Sequence, residues 1–224
     1  MPAHTEPIGT RAPGPVFSEQ DVKATLDSCR LTYLYEPDWG RLHDRVSRIL
    51  SGGLLVAWFQ GTAGFGAKAI TGRAVLTDPS NRWARENVNR FFRQVPLETS
   101  LPLVAPVEDQ PWCDHQVRRV TVQSVAVGAE WRNQVTGAID RQDCVDVQGI
   151  SESDDVRLHE LVRGHRARTG VPALIAVPLG APSEPVACTP RDAIRTTFSS
   201  AIDVLVIERF VLAKDHWLLG IPGR

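Results

Sequence analysis

The 224-residue sequence has few cysteines, little net charge and no long apolar run, and each shortage closes off a class of protein. Its four cysteines, Cys29, Cys113, Cys144 and Cys188, stand far apart with no C-x-x-C pair. That spacing argues against a disulfide framework or a zinc ribbon and for reduced thiols in a cytoplasm. Lys plus Arg number 25 against 26 Asp plus Glu, so the formal net charge is −1, and no block of one sign occurs. A general nucleic-acid binder or a polybasic membrane protein is therefore not expected. The longest apolar run, Leu54 to Phe59, is too short to cross a bilayer. Residues 1–16 hold four prolines and two glycines and no apolar stretch, which suits a flexible lead with neither a secretory signal nor an anchor. One domain over residues 17–224 is expected to follow, in the cytoplasm, with no cofactor and no metal.

What is present is a globular balance, 42% hydrophobic and 23% charged. Ser18 with Asp21 three residues on forms a capping box that opens a helix to about Cys29. Trp39, Leu42, Val46, Ile49 and Leu50 repeat at helical spacing until Gly52-Gly53 stops them. Leu54 to Phe59 reads as a strand buried on both faces, running into a glycine-rich segment from Gly61 to Gly66. Ser80 is placed to cap a third helix with the stripe Ala84, Val88, Phe91 and Phe92, while Pro96 and Pro102 mark an irregular stretch beyond it. Val117 to Ala126 and Cys144 to Ile150 alternate as half-buried strands do. Asp154 to Arg168 is helical, with Leu158, Leu161, Val162 and His165 on one face and Gly170 at its end. Pro172 to Leu179 and Asp203 to Glu208 read as strands, and Thr189-Pro190-Arg191-Asp192 opens a helix to about Ser200. Interleaved strands and helices predict an α/β or α+β class with a mixed, twisted sheet.

Two stretches resemble the C-terminal domain of the O-carbamoyltransferases that act on nodulation factors, tobramycin and cephamycins. The family pattern Trp-Phe-Gln-Gly, then Arg-Met-Glu-Phe-Gly-Pro-Arg-Ala-Leu-Gly-Asn-Arg, then Ala-Asp-Pro, appears here as Trp58-Phe-Gln-Gly61, Thr62-Ala-Gly-Phe-Gly-Ala-Lys-Ala-Ile-Thr-Gly-Arg73 and Ala74-Val-Leu-Thr-Asp-Pro79. The second stretch, Thr-Gly-Val-Pro followed by Asn-Thr-Ser-Phe-Asn and Glu-Pro-Ile-Val-Cys-Thr-Pro, is similar to Thr169-Gly-Val-Pro172 through Glu184-Pro-Val-Ala-Cys-Thr-Pro190. The resemblance implies a fold like that of the YrdC threonylcarbamoyl-adenylate synthases and, in the family, conversion of carbamoyl phosphate and ATP to carbamoyl adenylate. It also implies a metal-using transfer domain ahead of this one, which is expected to be absent here.

The departures fall on the chemistry. An adenylate made from two polyanions needs several cationic and hydrogen-bonding groups aimed at phosphate oxygens. Against the family pattern, the first arginine is Thr62, the glutamate is Gly64, the second arginine is Lys68, and only Arg73 stands at its own position. Arg93 takes the place of a family lysine, and Cys144 that of an arginine. The Asn-Thr-Ser-Phe-Asn cluster has become Ala176, Val177, Pro178, Leu179 and Gly180. Frame residues such as Gly61, Phe65, Gly66 and Asp78-Pro79 are kept. A retained cavity with an altered, apolar lining is the expectation: Lys68 and Arg73 as its catalytic or orienting cations, Phe65, Arg93, Cys144 and Ala176 to Gly180 as its lining.

Other constellations carry less. Cys113-Asp114-His115 has ligand residue types but no second cluster at zinc spacing. His159 and His165 stand six apart on one helix and point in different directions, and no Ser-His-Asp set is legible. Six tryptophans suit core and rim packing. Three readings stay open: a repurposed pocket for a small, largely apolar intermediate of natural-product biosynthesis; a non-catalytic accessory subunit of a carbamoyltransferase or transfer domain; and a carbamoyl-adenylate-forming enzyme with a separate transfer subunit. The partners expected are a small-molecule ligand and such a protein or self-association, with no nucleic acid and no membrane.

Overall fold

A computed structural model describes residues 14–62, 72–92, 99–109, 122–180 and 184–220. The elements run α1 (Glu19–Ser28), β1 (Leu34–Tyr35), α2 (Trp39–Ser51), β2 (Val56–Phe59), β3 (Arg73–Thr77), α3 (Ala84–Phe92), β4 (Pro102–Pro106), β5 (Gln123–Ala126), β6 (Cys144–Ile150), α4 (Val156–Thr169), β7 (Leu174–Pro178), α5 (Pro190–Phe198), β8 (Val204–Ile207) and β9 (Phe210–Ala213). The strands form one mixed sheet in the order β1-β9-β8-β2-β3-β7-β4-β6-β5. β2 runs parallel to β8 and β4 to β6, and the other neighbours are antiparallel.

Strand alternation divides the core in two. Ala57, Phe59, Val75, Ile175, Val177 and Leu205 face α1 and α5, where Val22, Leu26 and Ala193 meet them. Val56, Trp58, Ala74, Leu76, Leu174 and Ala176 face α2 and α4, against Leu42, Val46, Leu158 and Leu161. Each fully buried aliphatic chain in these layers contributes about 1.5–3 kcal/mol. The central strands read as continuous apolar runs because both of their faces are covered.

The helix ends follow their residues. Ser18 and Asp21 form a reciprocal capping box on α1, as Thr189 and Asp192 do on α5, with Pro190 in its first turn. Asp38 and Asp155 cap α2 and α4, and Gly170 closes α4 at φ +80°.

Two sequence expectations change. Pro102 opens a strand rather than an irregular stretch: a first-residue proline lacks only an N–H the ladder does not need, and Leu103, Val104 and Ala105 are fully buried behind it. Ser80 does not cap α3. Its N–H and hydroxyl both donate to Asp78 Oδ1, and the helix begins at Ala84. The strand expected from Val117 is seen from Gln123, since 110–121, with Cys113 and His115, lie outside the described residues, as do the side chains of Phe91 and Phe92.

Candidate functional site

At the C-terminal end of β2 a group of buried polar side chains collects. Phe59 pairs with Arg73 in the ladder, and Gln60 donates its N–H to the Gly72 carbonyl at 2.6 Å. A Cβ on Gly72 would lie 1.8 Å from the Gln60 oxygen, so only glycine passes there. Arg73 is 3% exposed. Its guanidinium donates to the carbonyls of Gln60 at 2.5 Å, Gly72 at 3.2 Å and Gly61 at 2.8 Å, and lies 3.4 Å over the Phe59 ring. Burial pulls its pKa down to about 10, opposed by the Glu208 carboxylate, so it stays cationic at neutral pH.

Glu208 turns the chain from β8 into β9 with φ +48°. Its carboxylate accepts from the Gly61 N–H at 3.3 Å and from Arg157 at 2.5 Å, and its carbonyl accepts from Gln60 Nε2 at 2.9 Å. Arg157, from the first turn of α4, also donates to Gln60 Oε1 at 3.0 Å and stacks 4.3 Å over Trp39. Three separate segments thus fix Gln60 and Gly61, where the glycine-rich stretch begins. Sequence reasoning passed over Gln60, Arg157 and Glu208 as a cluster. Gln60 sits inside the Trp-Phe-Gln-Gly pattern, but nothing in spacing joins it to residues 97 and 148 positions away.

β7 reaches the same end. The Leu179 N–H donates to the Arg73 carbonyl at 3.0 Å, and the Leu179 carbonyl accepts from Ala187 at 2.7 Å. Gly180 is needed for that approach, because a Cβ there would lie 2.9 Å from the Pro185 oxygen. The five residues Ala176 to Gly180 do not share one lining. Val177 and Leu179 are buried on the face that holds Phe59, whereas Ala176 is buried on the opposite face, toward α2 and α4. Pro178 is exposed at the end of the strand. Cys144 starts β6, paired with Ala126 and half-buried, and no ladder pairing joins it to Pro178. Phe65, Lys68 and Arg93 lie outside the described residues.

Away from this end, the fold brings together a Ser-His-Asp set the sequence did not disclose. Ser47 Oγ lies 3.3 Å from His165 Nδ1, and His165 Nε2 lies 3.2 Å from Asp78 Oδ2. All three are buried, with His165 at 0% exposure, so the set ties α2, α4 and the end of β3 together and offers no hydroxyl to a substrate. His159 is buried beside Glu108 at 2.6 Å. Among the described residues no three His, Cys, Asp or Glu side chains are placed to hold a metal, and no helix is long and apolar enough to cross a membrane.

The family model described as carbamoyltransferase C-terminus matches residues 47–214, about three quarters of the sequence. The chain belongs to this family. It is 23% identical over 177 residues to the nodulation protein NolNO of Sinorhizobium fredii, covering 76% of this chain and 26% of that protein. It is 28% identical over 141 residues to the 3'-hydroxymethylcephem-O-carbamoyltransferase of Amycolatopsis lactamdurans, covering 59% of this chain and 25% of the enzyme. An uncharacterized protein of Synechocystis sp. is 26% identical, with 90% of this chain and 36% of that protein covered. The chain thus spans about a third or less of the length of these relatives. Among solved structures, a variant of P. abyssi Sua5 superposes with a TM-score of 0.50 at 12% identity over 75% of this chain and 48% of that one. The fold is therefore of the Sua5/YrdC kind, as the resemblance implied. The family match and the curated relatives, not the fold, support a carbamoyltransferase-related role.

Proposed function

We propose that this chain is a carbamoyltransferase-family domain whose sheet end binds a small, largely apolar molecule with one carbonyl or acidic end, an intermediate of natural-product biosynthesis. The observation that carries this is the state of Arg73. It is the one cation kept at its family position, and it is buried with its terminal nitrogens on three backbone carbonyls. Next to it, the end of β7 and the residues just after it, Val177, Pro178, Leu179 and Gly180, bring no side-chain donor where the family has amides and a hydroxyl. A triphosphate needs such donors, whereas an apolar ligand does not. Lys68 and Arg93 then orient the polar end of the ligand. Pyrophosphate release measured with ATP and carbamoyl phosphate together is expected to stay at background. A robust turnover that depends on carbamoyl phosphate overturns the proposal in favour of a carbamoyl-adenylating enzyme.

A second reading, an accessory subunit docked on a carbamoyltransferase or a separate transfer domain, draws on Trp83 and Trp217, which are 54% and 73% exposed. Co-elution of the chain with such a protein, lost on replacing either tryptophan by serine, is its test.

A further inference from the structure

A groove of about 640 Å³ opens between the first turn of α2 and the middle of α4, lined by Asp38, Trp39, Gly40 and His43 on one side and by Glu160 and Gly164 on the other. Gly164 keeps it open: a Cβ there would meet nothing within 4 Å, so no packing against α2 fills the space. His43 is the unusual member. Its side chain is 7% exposed, Nε2 has no partner among the described residues, and Nδ1 stops 3.6 Å from Glu160 Oε2, too far for a hydrogen bond. Burial holds its pKa at about 4, so at neutral pH the ring is uncharged. The rings of Trp39 and Trp58 flank it at 5.9 and 6.1 Å.

The carboxylates around the groove differ in their engagements. Asp44, at its edge, is paired with Arg48 and Arg168. One Asp38 oxygen accepts the Arg41 N–H as the helix cap. Glu160 is half exposed, and among the described residues it has no arginine or lysine partner. Two groups thus face the same space, one anionic and one a neutral ring nitrogen, both short of a hydrogen-bond donor. A direct metal ion is disfavoured, because among the described residues no third ligand joins them.

We propose that the groove between α2 and α4 is a binding site for a small primary amine, whose ammonium group donates to Glu160 and to His43 Nδ1 while its carbon chain lies along Trp39. An ammonium has three donors and a compact charge, which suits two acceptors set slightly too far apart to satisfy each other. The groove adjoins the sheet-end cluster through Trp39, on which Arg157 stacks, but the proposal does not depend on the function proposed there.

The test is a titration followed by 1H–15N spectra, with n-butylammonium as the probe and tetramethylammonium as a cation that has no N–H to donate. Butylammonium is expected to give saturable shifts centred on Gly40, His43 and Gly164, and tetramethylammonium none. Glu160→Gln, at an exposed position, should keep the melting temperature and weaken butylammonium at least tenfold. Gly164→Leu should fill the groove and abolish binding. Equal shifts from both cations, no saturable shift with butylammonium, or a Glu160→Gln variant that binds as well as the parent would each overturn the proposal.

Discussion

Arg73 shows how one conserved-looking position carries two different meanings. As a kept cation in a family pattern it reads as a ligand group, and its identity was legible from spacing alone. That its nitrogens turn inward to Gln60, Gly61 and Gly72 was not, because backbone carbonyl positions depend on chain crossings that no local pattern encodes. Replacing it with alanine takes the donor from the Gln60 and Gly61 carbonyls, while Gly72 keeps the Gln60 N–H, and each such loss costs about 1–3 kcal/mol. Arg73→Ala is therefore expected to lower stability to urea by about 3 kcal/mol, read from the denaturation midpoint. A loss under 1 kcal/mol would mean that those carbonyls find other donors. Asp78 gives a second residue-level expectation. Burial pushes its carboxyl up, but His165 and Ser80 outweigh it and hold the pKa below the ordinary 3.8. A depressed folded pKa contributes stability above about pH 4 that is lost as pH falls through the folded value. Asp78→Asn should remove that part of the acid dependence, so its stability curve between pH 5 and 2 should be flatter than the parent's.

At the scale of elements, what the sequence disclosed were ends and periodic stripes. The capping boxes of α1 and α5, the apolar stripe of α2, the Gly170 stop and the buried β2 all stand where their residues predicted, since each signal is local. Strands β1, β3, β4 and β9 were missed, the last two for different reasons. Prolines at both ends disguise β4, whose place is set by parallel pairing with β6 across some forty residues. The turn before β9 has neither Gly nor Asn; Glu208 takes the left-handed conformation instead, held by Arg157 and Gly61. That makes Glu208 a compromise between backbone strain and side-chain contacts. Glu208→Gly relieves the strain but removes an ion pair that is only 11% exposed on the glutamate side. With Arg157 32% exposed and still held by Gln60 Oε1, losing the pair costs about 1–3 kcal/mol, still more than a glycine recovers at positive φ. The variant should melt lower than the parent, and a higher melting temperature would contradict this balance. The α5 cap is a smaller matter: Thr189→Ala is expected to cost about 1 kcal/mol by chemical denaturation.

Across the whole molecule, the frame and the lining of the sheet end have different logics. Glycines 72 and 180 are demanded by close backbone approach in this chain, although the family pattern has asparagine at both positions. The residues between Ala176 and Gly180 are free of that demand, and alternation sends them to two faces, which a linear reading as one lining could not anticipate. This separates two variants that look alike in sequence. Leu179 is fully buried with its backbone tied to Arg73 and Ala187, so Leu179→Asp places a charge in the core and should unfold the protein. Pro178 is exposed as the last residue of β7, and Pro178→Asp should change stability by less than about 0.5 kcal/mol. If an apolar ligand lies against this strand end, each buried methylene contributes about 0.8 kcal/mol, enough for a medium-sized molecule to bind in the micromolar range. Fluorescence titration with octanoate, an apolar chain with one acidic end, should then saturate for the parent. The same titration should be at least tenfold weaker for Pro178→Asp, with melting temperatures unchanged. Equal binding by both proteins, or none by the parent, would remove the sheet end as the ligand site and leave the accessory-subunit reading in its place.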